Sequence, residues 1–153
     1  MKFELRKILE ADWELLLKWR NDINTRRWFY DDTILDEKSH IEYVKKVVNR
    51  TYAHIDQYIL IIDDKLVGTI KSVNKEDLCI QPKNYLSYTI DNQFRGKNLS
   101  VIMIQLFLYN KTGKFVCEIK ESNIPSIKMV KRVGFKLQNI DTDKNILTYI
   151  LNK

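Results

Sequence analysis

The chain has 153 residues, of which 44% are hydrophobic and 30% charged, and a formal net charge of +6. One domain over residues 1–153 is the default at this length, and the composition excludes a disordered or low-complexity chain. No run approaches the roughly 18 apolar residues of a membrane span, and charges interrupt Met1-Lys2-Phe3-Glu4-Leu5-Arg6 where a signal peptide needs its apolar core, so the cytoplasm is the expected compartment.

Phe3-Glu4-Leu5-Arg6-Lys7-Ile8 alternates apolar and polar, the period of a half-buried strand. Asp12 offers a helix N-cap before Leu15, Leu16 and Trp19, and Asp36 offers another before Ile41, Val44, Val47 and Val48. Tyr58-Ile59-Leu60-Ile61-Ile62 is a β-branched run. Asp63-Asp64 turns it back into Leu66-Val67-Gly68-Thr69-Ile70 as a hairpin. A further strand is expected over Leu86-Ser87-Tyr88-Thr89-Ile90.

The polar stretch Asp91–Asn98, with one glycine, leads into Leu99-Ser100-Val101-Ile102-Met103-Ile104-Gln105-Leu106-Phe107-Leu108. A helix apolar on nearly all sides is expected to lie sandwiched against a sheet, and Gly113 is expected to end it in the C′ position. Phe115–Ile119 follows as a strand. Ser122 or Asn123 can cap a short helix that has Pro125 near its start and Gly134 as its stop. Phe135–Leu137 and Ile146–Ile150 close the chain as strands. The element order is that of an α/β mixture around a central mixed sheet.

Cys79 and Cys117 form no CxxC pair and have no nearby histidines, so they read as buried small hydrophobes, and no metal site is expected. The basic residues are scattered in pairs among acids. That pattern is read as mild attraction for an anionic ligand or, equally, as a solvated surface, and not as a nucleic-acid tail.

A strand, a polar loop with a glycine and then a helix form a device for holding phosphate. The first helical turn offers free N–H groups and a positive dipole end, and Gly96 lets an oxygen approach the backbone. Arg95 and Lys97 would add counter-charge. A nucleotide P-loop and a GxGxxG fingerprint are both absent, which disfavours kinase, GTPase and dinucleotide readings.

The segment Gln93-Phe94-Arg95-Gly96-Lys97-Asn98-Leu99-Ser100 resembles the acetyl-CoA pyrophosphate loop of the GNAT N-acetyltransferase superfamily, whose pattern is Gln/Arg-x-x-Gly-x-Gly/Ala. Asn123-Ile124-Pro125-Ser126 and Val133-Gly134-Phe135 resemble the later block of that superfamily, at the usual separation. The resemblance runs from Phe3 to Ile150 and implies a GNAT fold, an α/β (α+β) architecture with a central, mixed, mostly antiparallel sheet flanked by helices. It also implies that acetyl-CoA is the co-substrate, held by Tyr88, Thr89 and Ile90, by the loop from Gln93 to Ser100, and by Asn123 and Ser126. The sulfur end of the carrier would then lie between two strands.

Two positions depart from the pattern. Asn98 stands where Gly or Ala is usual, and Asn tolerates unusual backbone angles better than most residues. Val130 stands where many members carry a Tyr as general acid. The leaving thiolate has an intrinsic pKa of about 8.5, so a weak acid suffices. The resemblance points to Ser126 as that donor, with helix capping as its alternative role. A backbone N–H near Tyr88 or Thr89 would stabilise the developing oxyanion. Glu118 or Glu121 is a candidate base for the amine.

Leu17-Lys18-Trp19-Arg20-Asn21-Asp22, Arg26-Arg27-Trp28-Phe29-Tyr30 and His40 resemble the branch that acetylates nucleotide-linked amino sugars of the pseudaminic-acid type. Similar blocks occur in ribosomal-protein N-terminal, spermidine and aminoglycoside acetyltransferases. Arg20, Trp28, Tyr30, Asp32 and His40 are the expected acceptor residues. Aromatic faces stack on a sugar or base, Arg26 or Arg27 pairs with phosphate, and Asp31, Asp32 or His40 orients an amine. Core packing is the competing role for Trp13, Trp19 and Trp28. The expected partner is a small-molecule amine acceptor, with no membrane and no nucleic acid; a homodimer stays open. The alternatives are a protein N-terminus, polyamine or aminoglycoside as acceptor, or a non-catalytic acyl-CoA sensor.

Overall fold

The computed structural model describes residues 1–76 and 81–153. Cys79 lies outside the described residues, while Cys117 is free and buried.

In chain order the elements are β1 (Phe3–Lys7), α1 (Trp13–Asn21), α2 (Ile23–Arg26), α3 (Glu37–Val48), β2 (Ile55–Ile62), β3 (Lys65–Lys75), β4 (Lys83–Ile90), α4 (Leu99–Leu108), β5 (Lys114–Lys120), α5 (Ile124–Val133), β6 (Lys136–Asp141) and β7 (Ile146–Asn152). Short 3-10 turns at Glu10–Asp12 and Asn92–Phe94 precede α1 and α4. The strands form a seven-stranded sheet in the order β1-β2-β3-β4-β5-β7-β6. All of its pairings are antiparallel except β4 with β5. This is the mixed, mostly antiparallel sheet that the sequence leads one to expect.

Alternation along the strands builds two cores. On β2, Tyr58, Leu60 and Ile62 face one side, where Met103, Ile104 and Phe107 of α4 and Val130 of α5 are buried. Ile55, Ile59 and Ile61 face the other side, against Leu16 and Trp19 of α1 and Val44 and Val47 of α3. Helices thus cover both faces, which explains why α4 is apolar almost all round. No helix among the described residues is long and apolar enough to cross a membrane.

The Asp63-Asp64 turn behaves as expected. Both residues have positive φ, 47° and 68°, as the mirror-image hairpin turns require. Asp36 caps α3 by accepting from the N–H groups of Lys38 and Ser39.

Two expectations fail. Asp12 does not cap α1. It already has right-handed helical angles, because the 3-10 turn runs straight into the helix. Its carboxylate instead accepts from the Leu9 N–H at 2.7 Å and from both terminal nitrogens of Arg6 at 2.8 and 3.0 Å. Gly113 does not end α4, which stops at Leu108. Asn110 takes the left-handed conformation after it, at φ 61°. Gly113 enters β5 and exchanges two 2.9 Å backbone bonds with Lys153.

β3 also runs five residues beyond the expected Ile70, to Lys75. The extension is polar, yet Lys71 and Ser72 pair on both sides, with Gln57 and Asp56 of β2 and with Ser87 and Leu86 of β4. A strand bonded along both edges does not need an apolar pattern to form.

Candidate active site

The parallel pairing of β4 with β5 covers three residues, Lys83 with Lys114, Asn84 with Phe115 and Tyr85 with Val116. Beyond it, β4 continues to Ile90 and β5 to Lys120 without pairing to each other, so the sheet parts there. The Asp91 N–H bonds the Val67 carbonyl of β3 at 2.9 Å. Strand alternation then turns the amides of Thr89 and Ser87 toward β3, and those of Tyr88 and Ile90 toward the parting.

A cleft of about 510 Å³ fills the opening. Leu86–Ile90 and Cys117–Ile119 form its walls, with Asn123, Pro125, Ser126 and Met129 on one side and Arg27–Tyr30 on the other. At its head sits the loop before α4. Gly96 has φ +79°, and a Cβ built on it would have no atom within 4 Å, so its backbone faces open space. Asn98 is left-handed at φ 57° and ψ 23°, a conformation Asn accepts at low cost, and it starts α4 with Ser100 in the cleft wall. The first amides of α4 have no intrahelical acceptors and point toward this head. An anion of the size of a diphosphate fits the site on backbone grounds.

The loop is fastened to the N-terminal helices. Trp19 donates its indole N–H to Asp91 at 2.7 Å, and Asn92 donates to Asp22 at 2.6 Å. Arg95 is a brace rather than a free counter-charge. It donates to the carbonyls of Ile90 and Asn24 and, at 2.6 Å, to the Thr25 hydroxyl. Lys97 is exposed and outside the cleft wall, and Gln93 faces a small recess beside Trp19.

Across the parting, the Tyr88 hydroxyl of β4 meets the Ser126 hydroxyl of α5 in a short hydrogen bond. Asn123, not Ser126, caps α5, accepting from the Ser126 N–H. The Ser126 hydroxyl is therefore available to Tyr88. Burial pushes the Tyr88 phenol up from its ordinary value, Cys117 adds to the rise, and the bond to Ser126 opposes it. Burial also pushes the Cys117 thiol up to about 12. Val130 is wholly buried in the core. Glu118 is exposed at the edge of the cleft.

A second cavity, of about 500 Å³, lies on the α1/α3 face of the sheet and touches the cleft at Ser87, Tyr88 and Thr89. Arg20 and His40 line it, Tyr30 borders both spaces, and Asp32 borders neither. Trp28 lines the cleft, with Arg27 stacked 4.6 Å from its ring centre. Trp19 belongs to the core. His40 is buried, with Nε2 3.1 Å from the Trp13 carbonyl; since a carbonyl accepts, Nε2 carries the proton. Burial pushes its pKa down, Arg20 and Lys71 push the same way, and the Trp13 bond opposes them. Sequence reasoning missed Tyr43, Gln57, Thr69 and Lys71 of this cavity. The available signal was the polar alternation of Thr69 and Lys71 in a strand flanked by apolar runs.

Residues 2–136 match the model of the acetyltransferase (GNAT) domain family. The chain belongs to this family. No curated protein sequence matches the chain. Among solved structures, spermidine N-acetyltransferase from Vibrio cholerae in complex with CoA and spermine superimposes with a TM-score of 0.85, at 12% identity over 98% of this chain and 95% of that one. RimL, a ribosomal alpha-N-protein acetyltransferase in complex with coenzyme A, gives 0.79 at 14% identity over 99% and 94%. Aminoglycoside acetyltransferase AAC(6')-Ib in complex with coenzyme A gives 0.77 at 17% identity over 99% and 95%. At such identities the likeness is one of fold, and it extends over this acetyltransferase from end to end.

Proposed function

We propose that this GNAT acetyltransferase moves the acetyl group of acetyl-CoA to a primary amine of a small acceptor, with nucleotide-linked amino sugars as the first class to test. The observation that carries the reading is the parting of β4 from β5, headed by the Gly96 loop and the first turn of α4. Amides of that turn hold the diphosphate, with Asn98 and Ser100 shaping the head of the cleft. When bound, acetyl-CoA supplies a thioester whose carbonyl carbon is open to attack by an amine.

The residues of the chain carry the remaining work. The Tyr88 N–H, turned into the opening, donates to the carbonyl oxygen as negative charge develops there. Only the neutral amine attacks, so its proton leaves to Glu118, directly or through water. A C–N bond forms, the C–S bond breaks, and the departing sulfur takes a proton from Ser126; Tyr88 passes its proton to Ser126 and regains one from water in the cleft, while Glu118 releases the amine's proton to solvent. Burial keeps the Tyr88 phenol protonated at neutral pH, as a donor needs. The Tyr88–Ser126 pair thus covers the role that Val130 cannot fill.

Incubation with acetyl-CoA and a panel of amines, read by release of the CoA thiol, tests the reading. Release with an amino-sugar nucleotide is expected. Failure of calorimetry to detect acetyl-CoA binding would overturn it.

A further inference from the structure

The second cavity, which we take as the acceptor side, is lined by two cations, Arg20 and Lys71, and neither is in a salt bridge among the described residues. Lys71 stands on β3, opposite Ser87 of β4. Its ammonium lies 5.6 Å from the Tyr43 ring centre and makes no hydrogen bond or ion pair among the described residues. Arg20 stands on α1, stacked 4.2 Å from the ring centre of Phe29. One of its terminal nitrogens donates to the Asp31 carbonyl at 2.7 Å, while the other is buried without a partner. Burial pushes the Lys71 ammonium down, and the charge of Arg20 pushes it further down. His40 adds no negative charge, and its Nδ1 is buried and bare.

The nearby acids do not quench this pair. The Asp31 carboxylate lines the rim, fully exposed, and accepts from the Thr33 N–H at 3.0 Å. Asp32 is exposed outside the cavity wall. Both attract Arg20 from a distance, and neither forms an ion pair with it. A partly buried pair of like charges with an unused donor is a cost to folding unless a ligand neutralises it. A polyamine or a polycationic aminoglycoside would add to the repulsion. A carboxylate or phosphate would remove it and fill the open donor with a charge-assisted bond.

We infer that Arg20 and Lys71 clamp an anionic group, a carboxylate or a phosphate, that the acceptor carries a few bonds from its amine. The inference rests on the reading of this cavity as the acceptor side of acetyl transfer. The short separation follows from register. Lys71 is the direct cross-strand neighbour of Ser87, and Ser87 and Tyr88 line both the cavity and the cleft, so the clamp adjoins the place where the two spaces meet.

Two measurements test it. In the first, inorganic phosphate and acetate are titrated separately into the CoA-bound protein, so that the donor loop is already filled, and amide shifts are followed by NMR. At least one ion should shift Lys71, Ser87 and Arg20 saturably. Lys71→Met should weaken that binding at least tenfold, and Lys71→Arg should keep it within about threefold. In the second, acetyl transfer is compared within matched pairs, glucosamine 1-phosphate against glucosamine, and an α-amino acid against its amide. At least one anionic member should exceed its neutral partner in kcat/KM by tenfold or more, and the pair that responds identifies phosphate or carboxylate. Binding of neither ion near Lys71, indifference to Lys71→Met, or spermidine or kanamycin outperforming every anionic acceptor would overturn the inference. Ion binding at Lys71 without acetylation of any amine would sustain the clamp and bring down the transfer reading instead.

Discussion

The hydrogen bond from Trp19 to Asp91 joins α1 to the loop at the head of the cleft, and its removal can be followed in magnitude. Trp19→Phe deletes the indole donor and leaves part of the ring volume empty at a residue that is 3% exposed. The void costs about 1–2 kcal/mol. The lost bond to a carboxylate costs about 1.5 kcal/mol, the low end for charged partners because Asp91 is only half-buried. The sum, about 3 kcal/mol, lowers Tm by about 6–12 °C for a chain of this size. The void and the bond are separated by a double-mutant cycle with Asp91→Ala, in which the pair should show a coupling of about 1–1.5 kcal/mol in urea unfolding. Because the loop loses its tether, the affinity for acetyl-CoA should fall about three- to tenfold, or up to about 1.4 kcal/mol. A coupling below about 0.3 kcal/mol, or an acetyl-CoA Kd that does not move, would refute the idea that α1 holds the loop in its binding shape.

Ser126→Ala and Tyr88→Phe should each reduce kcat by about tenfold or more while changing the acetyl-CoA Kd far less, and unchanged turnover in both would remove the pair as proton source. Since the Tyr88 phenol is raised above its ordinary value of 10, the wild-type kcat should show no alkaline loss from this group below about pH 10. Gly96→Val should weaken acetyl-CoA binding at least about tenfold, through backbone strain at φ +79° and a side chain in the space of the diphosphate. Gly68→Ala should destabilise by about 1–3 kcal/mol in denaturant unfolding, because its new Cβ would sit 2.6 Å from the Thr89 carbonyl. Asp12 has a folded pKa below its ordinary 3.8, since Arg6 and the Leu9 N–H together outweigh the opposing effect of burial. Its contribution to stability is present above about pH 4 and is lost as pH falls through the folded value, so Asp12→Asn should flatten the acid limb of a stability–pH curve.

Legibility in the sequence followed the range of the physics. The Asp63-Asp64 hairpin and the Asp36 cap are short-range events, and both could be read from neighbouring residues. The all-round apolarity of α4 announced burial against a sheet, and Gly96 before it announced an open turn of positive φ. Asp12 misled because its partner Arg6 competes for the carboxylate, and Gly113 misled because Asn110 supplies the left-handed turn first. The contact between Tyr88 and Ser126 spans 38 residues, and the parting of β4 from β5 depends on where a parallel pairing stops. No local pattern encodes either. Lys71 looked like one more scattered surface charge until β3 was seen to be bonded on both edges.

Because the sheet divides at β4, the two spaces touch yet are walled by different helices, the cleft by α5 and the cavity by α1 and α3. On the proposed reading, carrier and acceptor each have a space of their own. Neither must vacate before the other arrives, so the acetyl group has no need to rest on the protein in transit. Initial-rate plots against the two substrates should therefore give intersecting lines rather than the parallel ones of a relay through an acylated enzyme.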